Sequence, residues 1–147
     1  MKLAGVDYGR RRIGVAVCDG DGGIAGGLCV IDRKKFADGG VGELLRVIDN
    51  EKPEALVFGL PLGADDEETA MSAEARGFAA TIAERAGLPV HFVDESFTSK
   101  RAAELMMHRK KKARRDKSLS DRIAACLILQ DFMEGTPPLR GEPYPTL

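Results

Sequence analysis

Hydrophobic positions along the chain switch between a period of two and a period near 3.6. Residues 2–7 (KLAGVD) and 12–18 (RIGVAVC) are short apolar, β-branched runs separated by Gly9 and charged residues, which predicts a β-hairpin. Residues 24–31 read as a third strand despite their glycines. After Asp38-Gly39-Gly40 the apolar residues Val41, Leu44, Leu45, Val47 and Ile48 follow helical spacing, and Pro53 ends that helix. ALVFGLPL, from Ala55, is a continuous apolar run of the kind a parallel strand shows when both its faces are covered. A helix rich in Ala and Glu is predicted from about Asp66 to Ala86, closed by Gly87 and Pro89. The strand VHFV (90–93) follows, then a helix over 98–107 with Thr98 as its cap. A final helix over about 119–133 carries Ile123, Ala124, Leu127, Ile128 and Phe132 on one face.

The order β-β-β-α-β-α-β-α-α implies an α/β fold. Its sheet is mixed, three antiparallel strands followed by parallel βα units, with helices on both faces. One domain over residues 1–134 accounts for all of these elements. The remainder, 135–147, holds four of the seven prolines and is expected to be an extended tail.

Composition narrows the setting. No window approaches the ~18 apolar residues of a membrane span, and the start, MKLAGVDYG, reads as a strand rather than a signal peptide, so a cytoplasmic protein without membrane contact is expected. Cys18, Cys29 and Cys126 sit among apolar residues without CxxC spacing, which predicts reduced, buried thiols rather than a zinc site or a disulfide framework. His91 and His108 stand alone and make poor metal ligands. The net charge of −1 conceals an asymmetry, because Arg109, Lys110, Lys111, Lys112, Arg114, Arg115 and Lys117 are seven of the 22 Lys and Arg residues. Such a segment is either a solvated loop or a surface for a phosphate-rich partner.

Acids lie at three predicted junctions. Asp7 ends the first strand, Asp94 and Glu95 follow the last, and Asp121 opens the final helix. In open α/β sheets sites form at the carboxyl ends of parallel strands, where the first strand and the last would place their acids together. Each acid also has an ordinary explanation. Asp7 suits a turn, Glu95 suits a helix cap, and Ser118-x-x-Asp121 has the spacing of a loose capping box with an acid in the first turn. Strand alternation sends Asp94 and Glu95 to opposite sides of the sheet, without choosing between them. Carboxylates that do gather repel unless a cation sits among them, and hard divalent ions such as Mg²⁺ or Mn²⁺ take oxygen ligands and a substrate phosphate.

At these residues the chain resembles the YqgF (RuvX) family of ribonuclease H-like nucleases, described both as Holliday junction resolvases and as pre-16S rRNA nucleases. The resemblance runs over about residues 2–134. It is carried by Asp7-Tyr8-Gly9-Arg10-Arg11-Arg12-Ile13-Gly14, by Gly59-Leu60-Pro61, by Asp94-Glu95 with Thr98, and by the D-x-x-A-A-x-x-I-L pattern from Asp121 to Leu129. It implies a ribonuclease H-like sheet, a Mg²⁺- or Mn²⁺-dependent nuclease, and Asp7, Glu95 and Asp121 as the catalytic, metal-binding acids. It further implies phosphate contacts by Arg11 and Arg12, with surface salt bridges as their alternative. The expected partner is nucleic acid, pre-rRNA first and branched DNA second, bound by a monomer or a homodimer. Two departures affect the substrate side. Ser96 stands where the family commonly has Arg, and Gly63 to Thr69 (GADDEET) replaces an Asn-x-Asp-Gly type of loop.

Competing classes are an ATPase of the actin and sugar-kinase type, disfavoured by a single-lobe length and the absence of GxxxxGK[ST], and a noncatalytic nucleic-acid-binding module of the same fold.

Overall fold

The computed structural model describes residues 1–19, 25–63, 67–94 and 117–134, the last segment with its side chains from Asp121 onward. Five strands and three α-helices lie within these residues: β1 (Lys2–Tyr8), β2 (Arg12–Asp19), β3 (Gly26–Asp32), α1 (Val41–Glu51), β4 (Ala55–Leu60), α2 (Ala70–Ala86), β5 (Val90–Asp94) and α3 (Lys117–Met133). A short 3-10 turn, Arg33–Lys35, leads from β3 towards α1. The helix expected over 98–107, the basic run up to and including the Lys117 side chain, Glu95, and the tail from 135 lie outside the described residues.

The sheet order is β3-β2-β1-β4-β5. β1 and β2 form the predicted hairpin, antiparallel and in register with Asp7 opposite Gly14 and Tyr8 opposite Ile13. β3 continues it antiparallel, with a bulge that places Leu28 outside the ladder between Gly27 and Cys29. β4 and β5 run parallel to β1, so the mixed sheet has the predicted arrangement. Every residue of β4 is buried, as its unbroken apolar run requires.

The two faces have separate cores. On one, Val6, Tyr8, Ile13, Val15, Leu56 and Phe58 pack against Leu44 and Ile48 of α1 and Phe78, Ala79 and Ile82 of α2. On the other, Leu3, Ala16, Cys18, Val57 and Val93 pack against Ala125, Ile128, Leu129 and Phe132 of α3. Strand alternation is therefore legible residue by residue, and Asp7 has the parity of Leu3, on the α3 face.

Three expectations need correction. α2 begins at Ala70 rather than near Asp66, because Thr69 and Ser72 form a reciprocal capping box that fixes the start there. α3 begins at Lys117, ahead of Ser118, so Asp121 lies beyond the first turn and is not the acid of a capping box opened by that serine. Of the face predicted for α3, Ala124, Leu127, Ile128 and Phe132 are buried and Ile123 is half-buried, but the helix sits on the strands through Asp121, Ala125 and Leu129, which that face omits and which meet glycines of the strands below. Of the cysteines, Cys18 is buried while Cys29 and Cys126 are half-buried, and burial raises all three thiol pKa values.

Candidate functional site

β1, β4 and β5 end at one edge, with Leu60 of β4 in register with Asp94 of β5. Near that edge Asp7 is half-buried on the α3 face. Its cross-strand partner Gly14 is the contact point for α3. A Cβ built on Gly14 would lie 2.4 Å from the Asp121 carbonyl oxygen and 3.3 Å from Asp121 Cβ. Gly14 therefore lets the helix backbone settle directly on β2, and that approach sets Asp121 beside Asp7. With ~5 Å across an antiparallel pair, this chain of contacts bounds the distance from Asp7 Cα to Asp121 Cβ at about 10 Å. Two further glycines extend the seat. A Cβ on Gly5 would lie 2.5 Å from Leu129 Cγ, and one on Gly27 would lie 3.0 Å from Arg122 Cβ. A glycine inside a strand is the signal of close backbone approach, and it was available in RIGVAV, but it does not reveal which element approaches.

Arg12 belongs to the same group. It precedes Gly14 by two residues on the same strand face, and its Nε donates to Asp121 Oδ2 at 2.8 Å. Of the two roles open to Arg12, phosphate contact or salt bridge, this structure shows the salt bridge. Arg11 is exposed in the β1–β2 turn, and its guanidinium makes no hydrogen bond among the described residues. Arg10 pairs with Glu74 of α2 at 2.6 Å, which ties the same turn to the opposite helix layer. Arg33 secures the turn from below. It donates to the Gly9 carbonyl at 3.0 Å and to the Gly39 carbonyl at 2.8 Å, and its guanidinium lies 4.9 Å from the centre of the Tyr8 ring.

Asp94 falls on the other side of the sheet. Val90 and Phe92, which share its parity, pack into the α1/α2 core, and Arg76 covers the Phe92 ring at 5.0 Å. Asp7 and Asp121 are thus brought together, Asp94 is separated from them, and Glu95 lies outside the described residues. No cluster of three or more metal-ligating side chains occurs among the described residues. Two carboxylates on one face, with oxygen as their only donor atom, nevertheless fit a hard divalent cation and do not fit a thiophilic one. No helix among the described residues is long and apolar enough to cross a membrane.

A five-stranded mixed sheet in this order, with acids at the carboxyl edge of its central strand and on the helix lying across it, defines a ribonuclease H-like fold of the kind used by phosphodiester-cleaving enzymes. The chain belongs to the RuvX family, whose description is Holliday junction resolvase and whose family model matches residues 1–135. Relatives named "Putative pre-16S rRNA nuclease" include one from Thermosynechococcus vestitus, 37% identical over 134 residues, covering 91% of this chain and 88% of that protein. Another, from Oleidesulfovibrio alaskensis, is 38% identical over 137 residues, covering 90% of this chain and 92% of that protein. Among solved structures, Thermus thermophilus RuvC in complex with a Holliday junction substrate superposes with a TM-score of 0.60 at 22% identity, over 95% of this chain and 99% of that one, a likeness of fold. As a member of this family the chain is a nuclease, a hydrolase of phosphodiester bonds.

Proposed function

We propose that Asp7, Glu95 and Asp121 together bind Mg²⁺ or Mn²⁺ and that the chain cleaves RNA in the maturation of the 5′ end of pre-16S rRNA. The observation that carries the site reading is the common contact of Asp7 and Asp121 with Gly14 on the α3 face. Glu95 enters by the family resemblance. Asp94 belongs to the α1/α2 face, and Glu95, which lies outside the described residues, is the acid of the Asp94-Glu95 pair that the family resemblance implies. A divalent cation held by such acids supplies an activated water and neutralises charge at the scissile phosphate. The protein's own part is to hold the acids rigidly. Asp7 stands on the central strand, Asp121 on a helix pressed against β2, and the turn between β1 and β2 is fixed by Arg33 and by the Arg10–Glu74 pair. Arg11, Arg12 and the basic run Arg109 to Lys117 are the phosphate-binding groups in this reading, and the cytoplasm, where ribosomal precursors mature, is its setting.

RNA is preferred over a four-way DNA junction because the relatives at 35–38% identity carry the rRNA name. A junction also demands paired cuts by two copies related by symmetry, whereas one copy suffices at an RNA 5′ end. The deciding experiment is cleavage with Mn²⁺ of a pre-16S 5′ fragment beside a four-way junction. Faster cutting of the RNA is expected. Symmetric cutting of the junction with the RNA left intact would transfer the assignment to resolution of branched DNA by a homodimer.

A further inference from the structure

An acid assigned to cation binding already has a cation beside it. Arg12 Nε donates to Asp121 Oδ2 across 109 residues of sequence. The two side chains are 28% and 24% exposed, so water screens the pair only in part. Asp121 Oδ1 and the two Nη groups of Arg12 make no hydrogen bond among the described residues. A guanidinium does not lose its proton at any working pH, so this positive charge is permanent. A divalent ion approaching Asp121 therefore meets Arg12 either as a competitor for Oδ2 or as a like charge nearby. Nucleic acid brings the opposite sign, and a phosphate offers the guanidinium fork a better-matched partner than one carboxylate oxygen does.

We propose that Arg12 is a positioning residue that acts as counter-ion to Asp121 in the metal-free site and passes to a substrate phosphate when a divalent cation takes the carboxylate. The proposal rests on reading Asp7, Glu95 and Asp121 as cation-binding acids. It predicts effects of opposite sign. Loss of the Arg12 charge strengthens binding of the metal alone and weakens binding of nucleic acid, whereas a residue that merely holds Asp121 in place would weaken both when removed.

The test uses the full chain with Arg12→Gln and Arg12→Lys. Mn²⁺ alone is titrated by calorimetry, a short single-stranded RNA is titrated by fluorescence anisotropy in Ca²⁺, and the melting temperature of each variant is recorded. Arg12→Gln is expected to bind Mn²⁺ about fivefold more tightly, the scale of a partly exposed ion pair, and RNA about tenfold more weakly, the scale of a lost charged hydrogen bond. Arg12→Lys, which keeps the charge but not the fork, should leave Mn²⁺ affinity within about twofold of wild type and still weaken RNA binding. Unchanged or weaker Mn²⁺ binding by Arg12→Gln, with wild type binding normally, overturns the proposal and leaves the cation site standing. A wild-type chain that binds no Mn²⁺ overturns the cation site, and the role of Arg12 with it.

Discussion

Replacing Gly14 by alanine tests how the site is built, because a single methyl group acts on Asp121 without altering either acid. The added carbon would stand 2.4 Å from the Asp121 carbonyl oxygen and 2.9 Å from its carbonyl carbon, both backbone atoms that cannot rotate away. Ordinary contact needs roughly 1 Å more, so α3 must retreat from β2 by on the order of 1 Å. Overpacking of this kind costs about 1–3 kcal/mol. In a chain of 147 residues that corresponds to a melting temperature lower by about 3–10 °C. The catalytic consequence is larger, since a displacement of ~1 Å at a reacting centre costs about 100-fold in rate. The assay is single-turnover cleavage with Mn²⁺ well below the melting transition, alongside circular dichroism and thermal melts. Gly77→Ala is the control. Gly77 lies within α2, where an added Cβ meets nothing within 4 Å, so helix propensity should raise stability by ~0.5–1 kcal/mol and leave the rate unchanged. A Gly14→Ala protein that cleaves at the wild-type rate would refute the reasoning that this close approach sets the position of a working acid.

Two other predictions concern pH and salt. Burial lowers the pKa of His91, whose ring stacks on Phe132 with centroids 5.1 Å apart and whose Nε2 is buried without a hydrogen bond among the described residues. The unfolded chain therefore takes up the proton first as pH falls through ~6.5, so His91 makes the native state less stable from there down towards its folded pKa. Urea midpoints measured from pH 7.5 to 5.5 should fall less steeply in His91→Phe than in wild type, and parallel curves would exclude this group as a cause. For the basic segment, replacing Lys110, Lys111, Lys112 and Arg114 by serine should flatten the dependence of log K for single-stranded RNA on log salt by about 0.7 per lost phosphate contact. An unchanged slope would remove the segment from the binding surface.

Local pattern was enough to find every strand and α-helix within the described residues, though not the short 3-10 turn Arg33–Lys35, because each strand and α-helix carries its own period and its own stop signal. Gly87 in the left-handed conformation ends α2, and the unbroken run of β4 marks a strand covered on both sides. The pairing of β1 with β2 also followed from sequence, as the turn between them is three residues long. What the pattern could not supply was which surfaces meet. Hydrophobicity found Ile128 and Phe132 on the inner face of α3, yet it passed over Asp121, Ala125 and Leu129, through which the helix is seated, since Gly14 and Gly5 leave room for backbone that no larger side chain would leave. The salt bridge of Arg12 to Asp121 joins residues 109 apart and depends on that same seat. Local composition likewise misplaced the start of α2, where an acidic run suited to a first helical turn yields to the capping box of Thr69 and Ser72.

The central claim is that acids held on one face of this sheet bind the metal that cleaves nucleic acid. Its most direct test is Mn²⁺-dependent cleavage by Asp7→Asn and Asp121→Asn, each checked for wild-type circular dichroism and for retained RNA binding in Ca²⁺. Both variants should stay folded, keep affinity for RNA and lose cleavage by at least about 100-fold, as expected when a metal-held nucleophile is lost. Wild-type cleavage by either variant, or a wild-type protein that binds RNA and cuts neither RNA nor junction at any Mn²⁺ concentration, would contradict the account and favour a noncatalytic binding module on the same fold.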